Sequence, residues 1–175
     1  YSSMKILETE RLLLRTMDEG DYEALCLILQ DPEVMYAYAH AFTDEEVRLW
    51  LHRKQERYAR DGFGLWAVVL IESGTMIGQC GLTLQPCDGR TMVEVGYLFR
   101  KAYWHRGYAT EAAIACKRHA FSLPGISEVC SIIRDINRPS QAVALRNGMT
   151  HRSTFTKHYC GMDMPHYVYI TSRAD

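Results

Sequence analysis

The chain has 175 residues, of which 47% are hydrophobic and 23% are charged, and its formal net charge is −1. This composition is typical of a globular protein with one core, so we expect a single domain over residues 1–175. The near-neutral charge argues against nucleic acid as a partner, and no apolar run approaches the roughly 18 residues that a membrane-spanning helix needs.

The N-terminus, Tyr1 to Lys5, lacks the apolar core of a signal peptide. We therefore expect a cytoplasmic protein with no membrane partner. The YSS sequence at residues 1–3 resembles a remnant of cloning, with Met4 as the native start.

The first third of the chain predicts one strand and two amphipathic helices. Leu12 to Arg15 is typical of a strand, and apolar residues then recur at helical spacing from Tyr22 to Leu29. Asp31-Pro32 ends that helix. The sequence Thr43 to Glu46 has the form of a capping box, which predicts the start of a second helix that extends to about Asp61-Gly62.

The middle of the chain predicts an antiparallel meander. Residues 66–71 are all apolar, and residues 76–84 are rich in glycine, leucine and isoleucine. They predict a hairpin whose first strand is covered on both faces. We expect residues 85–91 to form a turn and residues 92–99 to form the next strand.

The remaining elements complete a mixed α/β order. An apolar stripe from Ala109 to Ala120 predicts a core-facing helix, and Pro139 is placed for the first turn of a short helix that ends before Gly148. Further strands are expected at 129–134, 152–160 and 164–171. The strand-helix-strand unit over 92–134 predicts two parallel strands joined by a right-handed crossover.

Metal binding is not indicated by the cysteines and histidines. The six cysteines never form a C-x-x-C pair, and the seven histidines show no H-x-x-x-H spacing. We therefore expect no metal site, and reduced cysteines that pack as small apolar residues in the core. The cysteines are Cys26, Cys80, Cys87, Cys116, Cys130 and Cys160.

A glycine stands at the start of the alanine-rich helix, in the sequence WHRGYATEA at residues 104–112. A helix start has about four N–H groups without intrahelical partners and a partial positive charge, so an open turn there is an anion site. Gly107 permits close approach to the backbone, Arg106 adds a positive charge, and Ala109 keeps the first turn small. The same glycine is also compatible with a role in turn geometry alone.

A longer pattern around this glycine resembles a known enzyme family. Trp104 to Ala109 matches the last positions of the Q/R-x-x-G-x-G/A signature of the GNAT superfamily of acyl-CoA-dependent N-acetyltransferases. Together with Glu94 to Tyr97, Asn137 to Ser140 and Gly148-Met149, it is similar to the Rim-type branch, which acetylates the N-termini of ribosomal proteins. The resemblance begins at Glu8 to Leu12 and spans nearly the whole chain. Trp104 replaces the signature's Gln or Arg, and Met149 stands where Phe is more usual.

The resemblance implies a fold and a donor substrate. We expect the GNAT-like α/β (α+β) fold, a mixed and mostly antiparallel sheet of about seven strands, splayed near its middle and flanked by about four helices. In this family the pyrophosphate of acetyl-CoA lies on the amides at the helix start, here Arg106 to Thr110. The pantetheine arm pairs with the end of the preceding strand, here Leu98 to Arg100.

Asn137 lies where the family uses an asparagine to bind the pantetheine arm, and Ser140 follows one helical turn later. The same residues around Pro139 also resemble an ordinary helix start, since such side chains bind free N–H groups. The resemblance thus implies the following cofactor-binding residues: Leu98, Phe99, Arg100, Trp104, His105, Arg106, Gly107, Tyr108, Ala109, Thr110, Asn137 and Ser140.

The implied reaction needs a base and an acid. An amine with a pKa of about 8 to 10 must lose a proton before it attacks, and a thiolate whose thiol has a pKa of roughly 8.5 leaves more readily with a proton donor. Glu94, in an apolar strand, is the candidate base, directly or through a water, although it also fits a side chain that alternates outward. Ser140 is the first candidate for the donor, and Tyr159 and Tyr167 are alternatives with more acidic hydroxyls.

The expected function is therefore direct transfer of an acetyl group from acetyl-CoA to a primary amine in a ternary complex, without an acyl-enzyme. A protein N-terminal α-amine is the favoured acceptor, and a polyamine or an aminoglycoside stays open. A non-catalytic acyl-CoA sensor is the alternative from another class, whereas the absence of G-x-G-x-x-G disfavours a dinucleotide-binding protein. An unpaired strand at the sheet edge also allows a homodimer.

Aromatic residues of the early helices and the last hairpin are candidates for lining the acceptor site, although such residues more often belong to a core. They are Tyr36, Tyr38, His40, Phe42, Trp50, Trp66 and Tyr159.

Overall fold

The computed structural model describes residues 3–173 and confirms the mixed α/β architecture. Of residues 1–3, which resemble a cloning remnant, residues 1 and 2 lie outside this range. The strands are β1 (Lys5–Glu8), β2 (Leu12–Arg15), β3 (Leu65–Leu70), β4 (Met76–Cys87), β5 (Arg90–Phe99), β6 (Glu128–Arg134), β7 (Thr150–Tyr159) and β8 (Met162–Ser172). The helices are α1 (Tyr22–Leu29), α2 (Asp44–Asp61), α3 (Tyr108–Ser122) and α4 (Arg138–Arg146).

Within residues 3–173, eight strands form one sheet in the order β1-β2-β3-β4-β5-β6-β8-β7, one more strand than expected. The additional strand is β1, which pairs antiparallel with β2. Its sequence, KILE, has only two apolar residues between charged ones, so its periodicity was too short to predict a strand.

The prediction of a turn over residues 85–91 is wrong. β4 and β5 stay paired as far as Cys87 and Arg90. The connection is only Asp88-Gly89, and both residues have positive φ, at 49° and 78°. An Asp-Gly pair favours such two-residue hairpin loops, since both central residues then adopt the left-handed region.

Helix α2 begins as the sequence predicts. The Thr43 hydroxyl accepts a hydrogen bond from the Glu46 amide at 3.2 Å, and the Glu46 carboxylate accepts one from the Thr43 amide at 3.0 Å. Gly62 ends the helix in the left-handed conformation, with φ of 79°. The capping box satisfies two N–H groups that otherwise lack partners at a helix start.

The central strands are covered on both faces, as expected for β3. Trp66 and Val68 pack in one hydrophobic cluster with residues of α3 and α4. The intervening Leu65, Ala67 and Val69 pack in a second cluster with residues of α1 and α2. Since side chains alternate along a strand, β3 carries one helical layer on each side of the sheet.

The sheet separates between β5 and β6, the one parallel pair of strands in the described chain. These strands pair at only two positions, Val93 with Val129 and Glu94 with Cys130. Beyond this point β5 stays paired with β4 as far as Phe99, while β6 stays paired with β8 as far as Arg134. Two strand ends therefore diverge, with a gap between them.

Candidate active site

The turn before α3 leaves the start of the helix uncovered. Gly107 is the N-cap residue, with φ of 81°, and no side chain caps the helix. The first intrahelical bond runs from the Glu111 amide to the Gly107 carbonyl at 3.0 Å, so the amides of residues 108–110 have no intrahelical acceptor. His105 also has a positive φ, of 64°. A turn of this kind, exposed at residues 105–107, presents convergent N–H groups to an anion.

Contacts from the β1–β2 connection fix this turn. The Arg11 guanidinium donates to the Arg106 carbonyl at 3.0 Å and to the Glu111 carboxylate at 2.7 Å, and it lies over the Tyr108 ring at 4.3 Å. The Thr9 hydroxyl donates to the same carboxylate at 2.5 Å. Burial acts to raise the pKa of Glu111, but the bonds from Thr9 and Arg11 outweigh it and lower that pKa. Glu111 is therefore a carboxylate that ties the helix start to the sheet edge.

The free edge of β5 presents main-chain groups to the gap. The Ser131 hydroxyl donates to the Val95 carbonyl at 2.7 Å, so the main-chain groups of Val95 point toward β6. Because these groups alternate along a strand, those of Tyr97 and Phe99 point the same way, past the end of the β5–β6 pairing. The Trp104 indole donates to the Phe99 carbonyl at 3.0 Å. The N–H and carbonyl of Tyr97 and the N–H of Phe99 are left facing the gap.

Two cavities meet at this gap. The outer cleft, of about 920 Å³, runs between the end of β5, the turn before α3 and helix α4. The inner cavity, of about 660 Å³, extends from the gap between β5 and β6 toward α2 and the β7–β8 hairpin. Residues that line both cavities are Tyr38, Tyr97, Leu98, Asn137, Ser140 and Val143.

Glu94 lies in the wall of the inner cavity. Its carboxylate accepts a hydrogen bond from the Ile132 amide at 2.6 Å, across the point where β5 and β6 separate. Burial raises the pKa of Glu94 to about 7, against the lowering effects of this bond and of the Lys157 charge. A carboxyl group with such a pKa takes up and releases protons near neutral pH, as a general base requires.

Asn137 and Ser140 lie at the junction of the cavities, and Asn137 is also a helix cap. Its side-chain oxygen accepts from the Ser140 amide at 3.3 Å and from the Tyr36 hydroxyl at 2.9 Å. Its side-chain nitrogen makes no hydrogen bond with residues 3–173. The capping role and a cofactor contact are thus compatible, since each uses a different atom of the amide.

Tyr97 is a residue that the sequence did not single out. Its hydroxyl is buried beside Ser140 at the junction and makes no well-oriented hydrogen bond within the described range. Burial raises its pKa, so the phenol keeps its proton. Tyr38 is 44% exposed as a residue, but its hydroxyl is buried. This burial, and then the Glu94 charge, raise the pKa of the Tyr38 phenol to about 12. The sequence feature that could have indicated Tyr97 is its place near the end of the strand that leads to the helix start at Gly107.

Most of the residues expected to bind the cofactor line the outer cleft. They are Leu98, Phe99, Trp104, His105, Gly107, Tyr108, Ala109, Thr110, Asn137 and Ser140. Arg100 and Arg106 do not line it. The Arg100 amide pairs with Ile77 at 2.9 Å, and the Arg106 carbonyl is bound by Arg11.

The aromatic candidates divide between the cavities and the core. Tyr159 lines the inner cavity, whereas Tyr167 lines neither cavity and packs against His151 with ring centroids 4.5 Å apart. Trp66 is buried and packs against His119. The remaining candidates, Tyr36, Tyr38, His40, Phe42 and Trp50, line one or both cavities.

The cysteines are free, and four of the six are buried. Cys160 is exposed in the β7–β8 turn and Cys26 is half-buried, so the expectation of a core position is wrong for Cys160. The Cys80 and Cys116 thiols lie 3.7 Å apart. Burial raises the pKa of Cys80 and of Cys130, which keeps these thiols protonated and poorly nucleophilic.

In the part of the chain that the structure describes, no cluster of three or more His, Cys, Asp or Glu side chains is arranged to hold a metal ion. No helix in residues 3–173 combines the length and the apolar character needed to cross a membrane.

Comparison with known proteins places this chain in a family. The acetyltransferase (GNAT) domain model matches residues 11–150. Uncharacterized protein YkkB of Bacillus subtilis (strain 168) is 33% identical over 152 residues, which cover 86% of this chain and 88% of that protein. The FsC-acetyl coenzyme A-N(2)-transacetylase of Aspergillus fumigatus is 34% identical over 164 residues, which cover 87% of this chain and 68% of that protein.

A solved structure shares the fold over nearly the full length. It is a RimL ribosomal L7/L12 alpha-N-protein acetyltransferase in complex with coenzyme A, with a TM-score of 0.79 and 18% identity. The alignment covers 97% of this chain and 98% of that one. At this identity the likeness concerns the fold.

Proposed function

Because this chain belongs to the GNAT acetyltransferase family and is an acetyltransferase, we propose that it moves the acetyl group of acetyl-CoA directly to a primary amine. The observation that carries the proposal is the meeting of the outer cleft and the inner cavity at the gap between β5 and β6. One substrate would enter from each side. Tyr97 and Ser140 lie at the junction, and Glu94 lies in the wall of the inner cavity.

The outer cleft fits the donor substrate. A diphosphate at the turn would bind the free amides of residues 108–110, and an anion is favoured there by the helix dipole. The pantetheine arm would then follow β5, where the main-chain groups of Tyr97 and Phe99 supply the donors and the acceptor that its amides need. The Asn137 side-chain nitrogen supplies a further donor on the opposite wall.

The inner cavity fits the acceptor amine. Glu94 would take the proton of the ammonium group, directly or through a water, because its pKa of about 7 leaves it ionised in a large fraction at neutral pH. The buried thiols are protonated, which favours a ternary complex over an acyl-enzyme. The reaction then gains chiefly from proximity of the amine to the thioester carbonyl.

Either Ser140 or Tyr97 would donate a proton to the departing thiolate, since both hydroxyls lie at the junction. We expect the variant that removes the true donor, Ser140→Ala or Tyr97→Phe, to lower kcat by about 10²- to 10⁴-fold at pH 7. The deficit should shrink at pH 9, where the thiolate leaves without a proton, since a free thiol has a pKa of about 8.5.

Release of free thiol measured at the two pH values decides between the two residues. Tyr159→Phe tests the alternative donor on the last hairpin. Because Tyr159 is 53% exposed and lies at the inner cavity only, we expect its kcat to remain that of the wild type at both pH values. If both variants keep the wild-type kcat at pH 7, neither hydroxyl is the donor.

The acceptor proposed first is a protein N-terminal α-amine, and a small amine is the second candidate. The shared fold with an enzyme named an alpha-N-protein acetyltransferase supports the first. The relative named an N(2)-transacetylase, with 34% identity, supports the second.

A homodimer through the edge strands β1 or β7 stays a proposal, since these are the sheet edges.

We expect acetylation, detected by mass spectrometry, of at least one member of a panel of peptides with different N-terminal residues, spermidine, aminoglycosides and amino acids. Modification of peptide α-amines alone would support the first candidate, and modification of a small amine alone the second. If acetyl-CoA raises the melting temperature but no amine is acetylated, the acyl-CoA sensor replaces the enzyme. If NAD stabilises the protein and acetyl-CoA does not, both proposals fail.

A further inference from the structure

The inner cavity has a strongly positive lining. Four side chains that carry a full positive charge in water line it, from three different elements: Lys54, Arg57, Arg134 and Lys157. Glu94, the proposed base, is the only carboxylate in the lining among residues 3–173. The histidines in the wall, His40, His158 and His166, add no negative charge. A polycationic acceptor such as a polyamine would be repelled by this lining.

Lys54 is a buried lysine that has no counter-ion among the described residues. The residue is 4% exposed, and its ammonium nitrogen lies 3.8 Å from the centroid of the Trp50 ring. No carboxylate or hydrogen-bond acceptor in residues 3–173 pairs with it. Burial, and then the charges of Arg57 and Arg53, lower its pKa to about 7. An anion that binds beside such a lysine raises its pKa and so favours the charged form.

The side-chain nitrogen of Gln79 is a second polar group in the same wall that has no partner among the described residues. The side chain is fully buried, and its oxygen accepts from the Trp50 indole at 3.1 Å. An indole N–H is a donor only, so the oxygen of Gln79 must face Trp50, which leaves the amide nitrogen as a donor. That nitrogen has no acceptor within the described residues. The buried Nε of Arg134, also in this lining, lacks an acceptor as well.

An anionic oxygen group would complement both the unpaired donors and the positive charge of this lining. We propose that the acceptor is an amine that also carries a carboxylate, which binds at Lys54 and Gln79 while the amine faces Glu94. This inference rests on the proposed function, because it takes the inner cavity as the acceptor site. A free amino carboxylate and a peptide with an acidic side chain near its N-terminus share this chemistry.

The test compares acceptors that differ only in this charge. We measure kcat/KM for small amino carboxylates against their carboxamides, and for peptides with Asp or Glu against Asn or Gln at the first two positions. The acid member of the preferred pair should exceed its neutral partner by at least 10-fold. The small and the peptide pairs together tell which source of the carboxylate the enzyme uses.

The variant Lys54→Met tests whether the preference for a carboxylate arises in the inner cavity. It should raise KM for the acid acceptor at least 10-fold, leave KM for the neutral partner unchanged and leave the affinity for acetyl-CoA unchanged. Arg53→Met is the matched control, because it removes a positive charge from the adjacent, exposed position of α2, outside the lining. Its acceptor preference should remain that of the wild type.

The failures of the two proposals are distinguishable. If no amine in any pair is acetylated, the proposed function fails. If neutral or polycationic amines are acetylated as well as the acids, transfer stands and the carboxylate inference is overturned. The acceptor preference is measured with the wild-type enzyme and needs no variant, so it does not depend on the folding of Lys54→Met.

Discussion

Glu94→Gln is expected to lower kcat/KM at pH 8 by about 10²- to 10⁴-fold, the range typical of the loss of a general base. In the wild type, the Glu94 carboxylate accepts a hydrogen bond from the Ile132 amide at 2.6 Å. The glutamine oxygen can accept the same bond, so the strand geometry is retained. Glu94 lines the inner cavity and not the outer cleft, so the Kd for acetyl-CoA should be unchanged. Steady-state kinetics and calorimetric binding of acetyl-CoA measure the two effects separately.

The pH dependence of the same variant distinguishes catalysis from structure. The wild-type kcat/KM should rise with pH through a limb near 7, where Glu94 ionises, and Glu94→Gln should lack this limb. Titration of the acceptor amine is common to both proteins and therefore cancels in the ratio of their rates.

Stability should change in the opposite direction to activity. A carboxyl group whose pKa is about 7 in the folded protein and about 4.3 in the unfolded chain stabilises the fold fully below the lower value. This contribution is lost as pH rises through the folded pKa. Glu94→Gln should therefore melt at a higher temperature than the wild type at pH 8, with a difference that shrinks toward pH 5.

Glu128→Gln serves as the matched control for Glu94→Gln. Glu128 is a carboxylate on the neighbouring strand β6 that pairs with Arg90 at 2.9 Å and lines neither cavity. Its kcat/KM and its pH limb should remain those of the wild type. A Glu94→Gln enzyme that retains more than a tenth of the activity, with the limb near 7 intact, would show that another group is the base.

The local features of the fold could be predicted from the sequence, because they depend on residues that are close together in the chain. The capping box at Thr43, the helix start at Gly107 and the hairpin around β3 were each predicted from short patterns, and the structure contains them. The Asp88-Gly89 hairpin loop belonged to the same class, and it was missed only because residues 85–91 were assigned to one turn.

The features that were missed in the site depend on contacts between distant residues. Arg11 and Glu111, which fix the turn, are 100 residues apart, and so no periodicity relates them. Tyr97 becomes notable only because β5 and β6 separate beside it. These contacts follow from the three-dimensional packing, which a single sequence does not display.

Lys54 is an intermediate case between these two classes. The apolar stripe of α2 includes Val47 and Leu51, and position 54 continues it at helical spacing, yet a lysine is normally assigned to the solvent face. The spacing thus contained the signal for a buried cation. Only the structure shows that no carboxylate among residues 3–173 pairs with Lys54, which makes this cation a candidate for ligand binding.

Gly107→Val is expected to weaken the binding of acetyl-CoA at least about 100-fold, which corresponds to about 2.7 kcal/mol. Gly107 has φ of 81°, a conformation that is strained for a β-branched residue. A Cβ at this position would lie 3.4 Å from the Arg11 guanidinium, the group that holds the Arg106 carbonyl. The turn must change to accept valine, and the amides of residues 108–110 then no longer converge on one anion.

Two comparisons assign this loss to the diphosphate. Acetyl-pantetheine lacks the phosphates, so its weaker binding should differ little between Gly107→Val and the wild type. Gly125→Val is the matched control, because Gly125 also has a positive φ, of 79°, and lies beyond the other end of α3. Apart from its chain neighbours, no described residue has an atom within 4 Å of an added Cβ there. Both variants should lose similar stability, since each strains a left-handed residue, whereas only Gly107→Val should lose affinity for acetyl-CoA. Wild-type affinity in Gly107→Val would mean that the diphosphate binds elsewhere.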